Sequence, residues 1–167
     1  EMLRSLVGSE MCIRDRQKIA CTQASVLISG VILLLGYATV LEIVVAQGGF
    51  PNELEIAELL KLNSGLFCLL LFIAGICFLA SCLFSDTRYS IGLGAGIPAL
   101  MYVLQMLANA GEDAEKAKYF TFFTLFQPEN LVAGKSSALM GVTILLIGGI
   151  ALFAAGIFLF CKKDLYI

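Results

Sequence analysis

The chain has no histidine and no tryptophan, only three prolines, and few charges: Asp, Glu, Lys and Arg make up 14% of its 167 residues. Each shortage excludes a chemistry. A zinc protease needs a His-based metal site, and a Ser-His dyad needs the imidazole as its base. Aspartyl catalysis needs two close carboxylates, and no long apolar run holds an Asp pair. No Gly-rich phosphate loop closing on Lys and Ser or Thr occurs, so the chain is not expected to hydrolyse ATP itself. The net charge of −2 gives no reason to expect a nucleic-acid partner. The cysteines are Cys12, Cys21, Cys68, Cys77, Cys82 and Cys161, and none forms a C-x-x-C pair. Most lie inside apolar runs, where Cys acts as a small hydrophobe. No disulfide framework, metal site or cofactor is expected from them.

What is abundant is hydrophobic sequence, at 59%; the charged fraction of a typical soluble domain is about 25%. Ile19–Leu41, Leu62–Ser85, Tyr89–Gly111 and Ser136–Cys161 contain no Asp, Glu, Lys or Arg and hold 23, 24, 23 and 26 residues. About 20 apolar residues in a helix cross the roughly 30 Å core of a bilayer. Lipid leaves backbone groups unsatisfied, so spans must be helices or closed barrels. Barrel strands alternate in polarity, and these runs do not. The expected fold class is all-α: a polytopic integral membrane protein with four transmembrane helices, over about 20–46, 62–84, 89–111 and 136–161, plus short interfacial helices.

The first residues are set aside. Val7-Gly8-Ser9-Glu10-Met11-Cys12-Ile13-Arg14-Asp15-Arg16 resembles translated sequencing adapter found at the ends of unrelated proteins. Residues 1–16 are therefore read as artefact or disordered and 17–167 as the transmembrane domain, expected to be the later part of a longer protein. After the first span, Gly48-Gly49-Phe50-Pro51 breaks the helix. Asn52 and Glu55 resemble an N-cap and its third helical position, opening a short helix over 52–61 in the membrane interface. Ser85-Asp86-Thr87-Arg88 allows only a tight turn, making the second and third spans antiparallel neighbours. In the third span Gly92 and Gly96 form a small-xxx-small pair for helix packing, and Pro98 removes a backbone hydrogen bond. The aromatic stretch 119–126 is too short to span and suits an interfacial or re-entrant segment.

Glu42 is the acid embedded in an otherwise apolar stretch. It marks either a proton or ion site or a carboxylate reaching the interface beside Gly48. Gln105 and Asn109, four apart on one helix face, join Glu42 as a candidate polar path, or else hydrogen-bond to a neighbouring helix. Asp86 and Arg88 either meet a cytoplasmic partner or end two helices. Once residues 1–16 are dropped, basic residues number four on each side: Lys18, Arg88, Lys162 and Lys163 against Lys61, Lys116, Lys118 and Lys135. Lys162 and Lys163 directly abut a span, which favours a cytoplasmic C-terminus.

Three stretches carry a resemblance. Phe78-Leu79-Ala80-Ser81-Cys82-Leu83-Phe84-Ser85-Asp86-Thr87-Arg88-Tyr89-Ser90-Ile91-Gly92 resembles the span, short basic turn and Gly-rich span of ABC-2-type transporter permeases. Leu125–Gly134 resembles their segment before the last span, and Ile157–Leu165, with a final Phe before a basic pair and Asp, resembles their ending. The family has six transmembrane helices per permease half, so the four here would match its third to sixth. The resemblance implies a subunit without a catalytic site, working with a cytoplasmic ABC ATPase subunit and a second permease subunit to export a substrate across a bacterial cell membrane. It places the turn Ser85, Asp86, Thr87 and Arg88 near the ATPase and 119–135 on the outer side. The alternatives are a fragment of a secondary transporter or channel using Glu42, Gln105 and Asn109, and a four-span structural or regulatory membrane protein.

Overall fold

The structure, a computed structural model, describes residues 2–49, 55–84, 86–110, 122–134 and 136–162, with side chains over 17–49, 55–84, 86–107, 122–134 and 136–161. Among the described residues every regular element is helical: α1 (Met2–Gly49), α2 (Ile56–Leu83), α3 (Thr87–Ala110), a 3-10 turn (Phe122–Leu125), α4 (Pro128–Val132) and α5 (Ser136–Lys162). Four stretches are long and apolar enough to cross a membrane: Gln17–Gly49, Ile56–Leu83, Thr87–Leu107 and Ser136–Cys161. Each overlaps one of the four expected spans. The first is 33 residues long, or about 50 Å at 1.5 Å per residue. That exceeds the hydrocarbon thickness and calls for tilt or protrusion.

The second span begins earlier than expected. Among the described residues, 56–61 are the first turns of α2 itself rather than a separate interfacial helix. The cap is Glu55, whose carbonyl accepts from the amides of Glu58 and Leu59 at 3.0 and 3.2 Å. The expected cap, Asn52, lies outside the described residues. The charged face of Glu55, Glu58 and Lys61 looks like a boundary in hydropathy, but no Gly or Pro interrupts the backbone before Gly65, so the helix continues.

α2 is the central helix. Of its most apolar stretch 39% is buried, against 6% for α1 and 11% for α3. Its main partner is α5, which presents a buried stripe of Ala138, Gly141, Leu145, Gly149, Phe153 and Gly156, spaced by three and four residues as one helix face requires. The glycines set the separation. A Cβ on Gly149 would stand 3.3 Å from the Phe72 amide nitrogen and 3.4 Å from backbone carbons of Leu71 and Phe72. One on Gly75 would stand 3.2 Å from the Gly149 carbonyl oxygen. Small residues let membrane helices approach to backbone contact, where dispersion rather than the hydrophobic effect holds them. Phe78 and Phe153 fill the next layer with ring centroids 5.2 Å apart, packed with Ala20 and Ala24 of α1.

α3 meets α2 through Gly94, not through the expected pair. A Cβ on Gly94 would lie 3.4 Å from Ala80 Cβ and from Cys77 Cα, whereas Gly92 and Gly96 have nothing within 4 Å. Two positions on a helix are about 200° apart, so burying Gly94 turns Gly92 and Gly96 outward. Among the described residues the small-xxx-small pair packs against nothing. Pro98 lies inside α3 and has no N–H for the carbonyl four residues back, which is Gly94's. That oxygen instead accepts from Cys77 Sγ at 3.2 Å. Cys77 is thus more than packing: it satisfies the backbone group that Pro98 leaves unmatched, as an apolar surround demands.

The turn between α2 and α3 is as short as expected. Phe84 ends α2, its amide bonded to the Ala80 carbonyl, and the Ser90 amide donates to the Asp86 carbonyl in the first turn of α3. Just beyond, Ser90 Oγ donates to Ser81 Oγ at 3.3 Å. Sulfurs placed there would need to close by only about 1 Å to reach a disulfide length of about 2.05 Å. A Ser81→Cys/Ser90→Cys chain freed of its native cysteines is expected to cross-link nearly completely under mild oxidant, read by mass spectrometry of the linked peptides. A failure to link would contradict this antiparallel hairpin.

Residues 122–126 of the aromatic segment are half-buried against the helices. Phe122 stacks on Phe123 with centroids 4.5 Å apart. Phe122 also meets Phe72 of α2 at 5.3 Å, and Phe123 meets Tyr102 of α3 at 5.9 Å, edge to face. Together they pack on a core of Cys68, Leu69 and Leu145; Leu145 is 1% exposed. Leu145 is the ninth residue after Ser136 at the start of α5, so the turn reaches inward between helices. Tyr119, Phe120 and Thr121 lie outside the described residues.

Candidate functional site

One buried polar side chain interrupts the core among the described residues: Asn63, 4% exposed. It faces α1, where Thr39 and Glu42, three positions apart, share a helix face. Asn63 Nδ2 donates to Glu42 Oε2 at 2.9 Å and to Thr39 Oγ1 at 2.9 Å. Both amide hydrogens are used. Thr39 passes its own hydroxyl hydrogen to the Leu35 carbonyl at 2.8 Å, leaving its lone pairs for Asn63. Asn63 is buried while Glu42 is exposed, so the carboxylate closes the cluster from outside.

The chain builds this cluster from position alone. Glu42 lies seven residues before the end of α1 at Gly49, and Asn63 seven after the start of α2 at Ile56. Antiparallel packing sets them at one level. The bond to a carboxylate is charge-assisted, about twice as strong as a neutral one. Burial of Asn63 strengthens it on the donor side, where the local dielectric is low.

Gln105 belongs to a different group. Thr124 Oγ1 donates to Gln105 Oε1 at 3.4 Å, a long bond. The two line a cleft of about 340 Å³ with Phe126, Gln127, Pro128, Glu129 and Asn130. Glu42 does not line this cleft. The expected path of Glu42, Gln105 and Asn109 is therefore divided. Glu42 sits between α1 and α2, Gln105 between α3 and the segment before α5, and the side chain of Asn109 lies outside the described residues. Gln105 and Asn109 share a face in sequence, but the tertiary partner of Glu42 comes from α2.

Asp86, Thr87 and Arg88 are exposed at the tip between α2 and α3; Ser85 lies outside the described residues. A second cleft, of about 390 Å³, lies at this end between α1, α2 and α5, lined by Ile19, Ala20, Leu27, Cys77, Phe78 and Phe160 among others. Among the described residues no group of three or more His, Cys, Asp or Glu can hold a metal ion.

Sequence reading missed Asn63 and Thr39. The signal was present: an amide in the first turns of an apolar run, and a hydroxyl three residues before the one embedded acid. What it could not supply was the pairing of two helices.

The fold and its polar cluster define a multi-pass α-helical membrane protein with four helices able to cross a bilayer. Compared with known proteins, the chain matches no family model, no curated protein and no solved structure.

Proposed function

We propose that this chain is part of the membrane domain of an ATP-driven exporter of the ABC-2 type. It would form part of the substrate path and leave ATP hydrolysis to a separate cytoplasmic subunit. What supports the reading is the order of elements. A span, a tight turn carrying Asp86 and Arg88, a Gly-rich span, a short segment at 125–134, and a last span ending in Phe160-Cys161-Lys162 follow one another in the order of the family that the chain resembles. The exposed turn Asp86–Arg88 is free to meet an ATPase. The outward Gly92 and Gly96 offer a close-packing face to a second permease subunit. The C-terminus is proposed to be cytoplasmic, in a bacterial cell membrane.

The test is functional assembly. Tagged protein, expressed with the genes flanking its own, is expected to co-purify with a subunit carrying a Walker A loop. Arg88→Glu, at the exposed tip, is expected to lower ATP-dependent transport in inverted vesicles at least tenfold without changing the amount of inserted chain. Transport that runs without ATP, and a purified protein lacking any ATPase, would overturn the reading. A second reading, an ion-coupled carrier or channel, is favoured by the Glu42–Asn63 pair. It predicts transport that follows an ion gradient and ignores ATP.

A further inference from the structure

We propose that Thr39, Glu42 and Asn63 form a binding site for a single monovalent metal cation, with sodium as the first candidate. The inference goes beyond the exporter reading and stands on the cluster's geometry alone.

In the present arrangement the Asn63 amide nitrogen occupies the centre of the cluster, 2.9 Å from Glu42 Oε2 and 2.9 Å from Thr39 Oγ1. The electropositive edge of an amide sits where two oxygens converge, which is the place a cation would take. The terminal torsion of Asn is broad and roughly two-fold. Half a turn about it exchanges Nδ2 for Oδ1 and releases both hydrogen bonds together. Three oxygens then face one point: a carboxylate, an amide carbonyl and a hydroxyl. The hydroxyl is already oriented for this, since its hydrogen points to the Leu35 carbonyl and its lone pairs point inward. Hard cations take oxygen ligands of these kinds.

Charge selects the class of ion. The site contains one carboxylate, so a monovalent cation neutralises it, whereas a divalent ion would leave a net positive charge among apolar helices at a steep cost. Access follows from burial. The exposed Glu42 is the side of entry, and the buried Asn63 is the floor. Because the ligands come from α1 and α2, an ion bound here ties the outer helix to the central one.

The test uses the full chain in lipid nanodiscs at fixed pH and constant ionic strength, with choline chloride as the balancing salt. Radioactive ²²Na⁺ is expected to bind saturably at one ion per chain. Unlabelled NaCl, LiCl and KCl compete in an order that identifies the preferred ion. Glu42→Gln is expected to remove the binding, and Thr39→Val to weaken it at least tenfold. Sodium is also expected to raise the unfolding temperature of the wild-type chain above its value in choline. No saturable ²²Na⁺ binding by the wild-type chain, or equal binding by wild type and Thr39→Val, would overturn the proposal, whether or not Glu42→Gln folds.

Discussion

Replacing Gly149 by leucine is expected to lower the stability of the helix bundle by about 1–3 kcal/mol, the usual cost of overpacking a filled site. The atoms that a side chain at this position meets are the backbone nitrogen of Phe72 and backbone carbons of Leu71 and Phe72, at 3.3–3.4 Å. A neighbouring side chain could rotate away, but a helix backbone cannot. α2 and α5 must therefore separate, and dispersion contacts weaken along the whole seam, including Gly75 and the Phe78–Phe153 layer. Gly148 is the informative neighbour. There the nearest atoms belong to the Phe72 ring, at 2.8 Å, and a ring can move, so Gly148→Ala is expected to cost less. Gly36, with nothing within 4 Å, is the control, and Gly36→Ala is expected to be neutral or slightly stabilising. Circular dichroism through an SDS titration of purified protein reads all three. A Gly149→Leu chain as stable as the wild type would rule out the close approach of α2 and α5.

The second large effect is expected at Asn63. Asn63→Ala removes two hydrogen bonds between α1 and α2, and leaves Glu42 without this partner. Hydrogen bonds between membrane helices average about 0.6 kcal/mol and reach about 1.7. With two bonds, one of them charge-assisted, the expected loss is about 1–3 kcal/mol. The diagnostic quantity is the coupling. Asn63→Ala combined with Glu42→Gln should fall short of the sum of the single changes by about 0.5–2 kcal/mol, since residues in one network do not add. Strict additivity would mean that the two side chains do not interact in the membrane. The same cycle separates the cluster from the alternative in which Glu42 only reaches the bilayer interface, because an interfacial carboxylate would be indifferent to Asn63.

The four spans were legible because membrane insertion reads a one-dimensional property. Charge-free length decides whether a segment can cross, and Ile19–Leu41 or Ser136–Cys161 carries that signal without its neighbours. Boundaries were less legible. Glu55, Glu58 and Lys61 mark where polarity begins, yet α2 runs through 56–61 because polarity on one face does not stop a helix. The glycine reading shows a second limit. Gly92 and Gly96 have the spacing of a packing motif, but spacing names a face and not the face that is used. Gly94 was taken instead, and with it came the Cys77 bond that matches the carbonyl left unpaired by Pro98. The candidate site divided in the same way. Glu42 stood out as a lone acid, but its partner could not be read along the chain.

The sequence by itself marked four stretches of this chain as long and apolar enough to cross a membrane as helices, because apolar length and a shortage of charge leave lipid as the compatible solvent. It also excluded chemistry that needs histidine. Only the tertiary structure decided which helix is central, which glycines touch, and that Glu42 meets Asn63 and Thr39. Those outcomes depend on how helices rotate and slide against one another. Rotation and register are set by the sum of many short-range contacts between segments far apart in the chain.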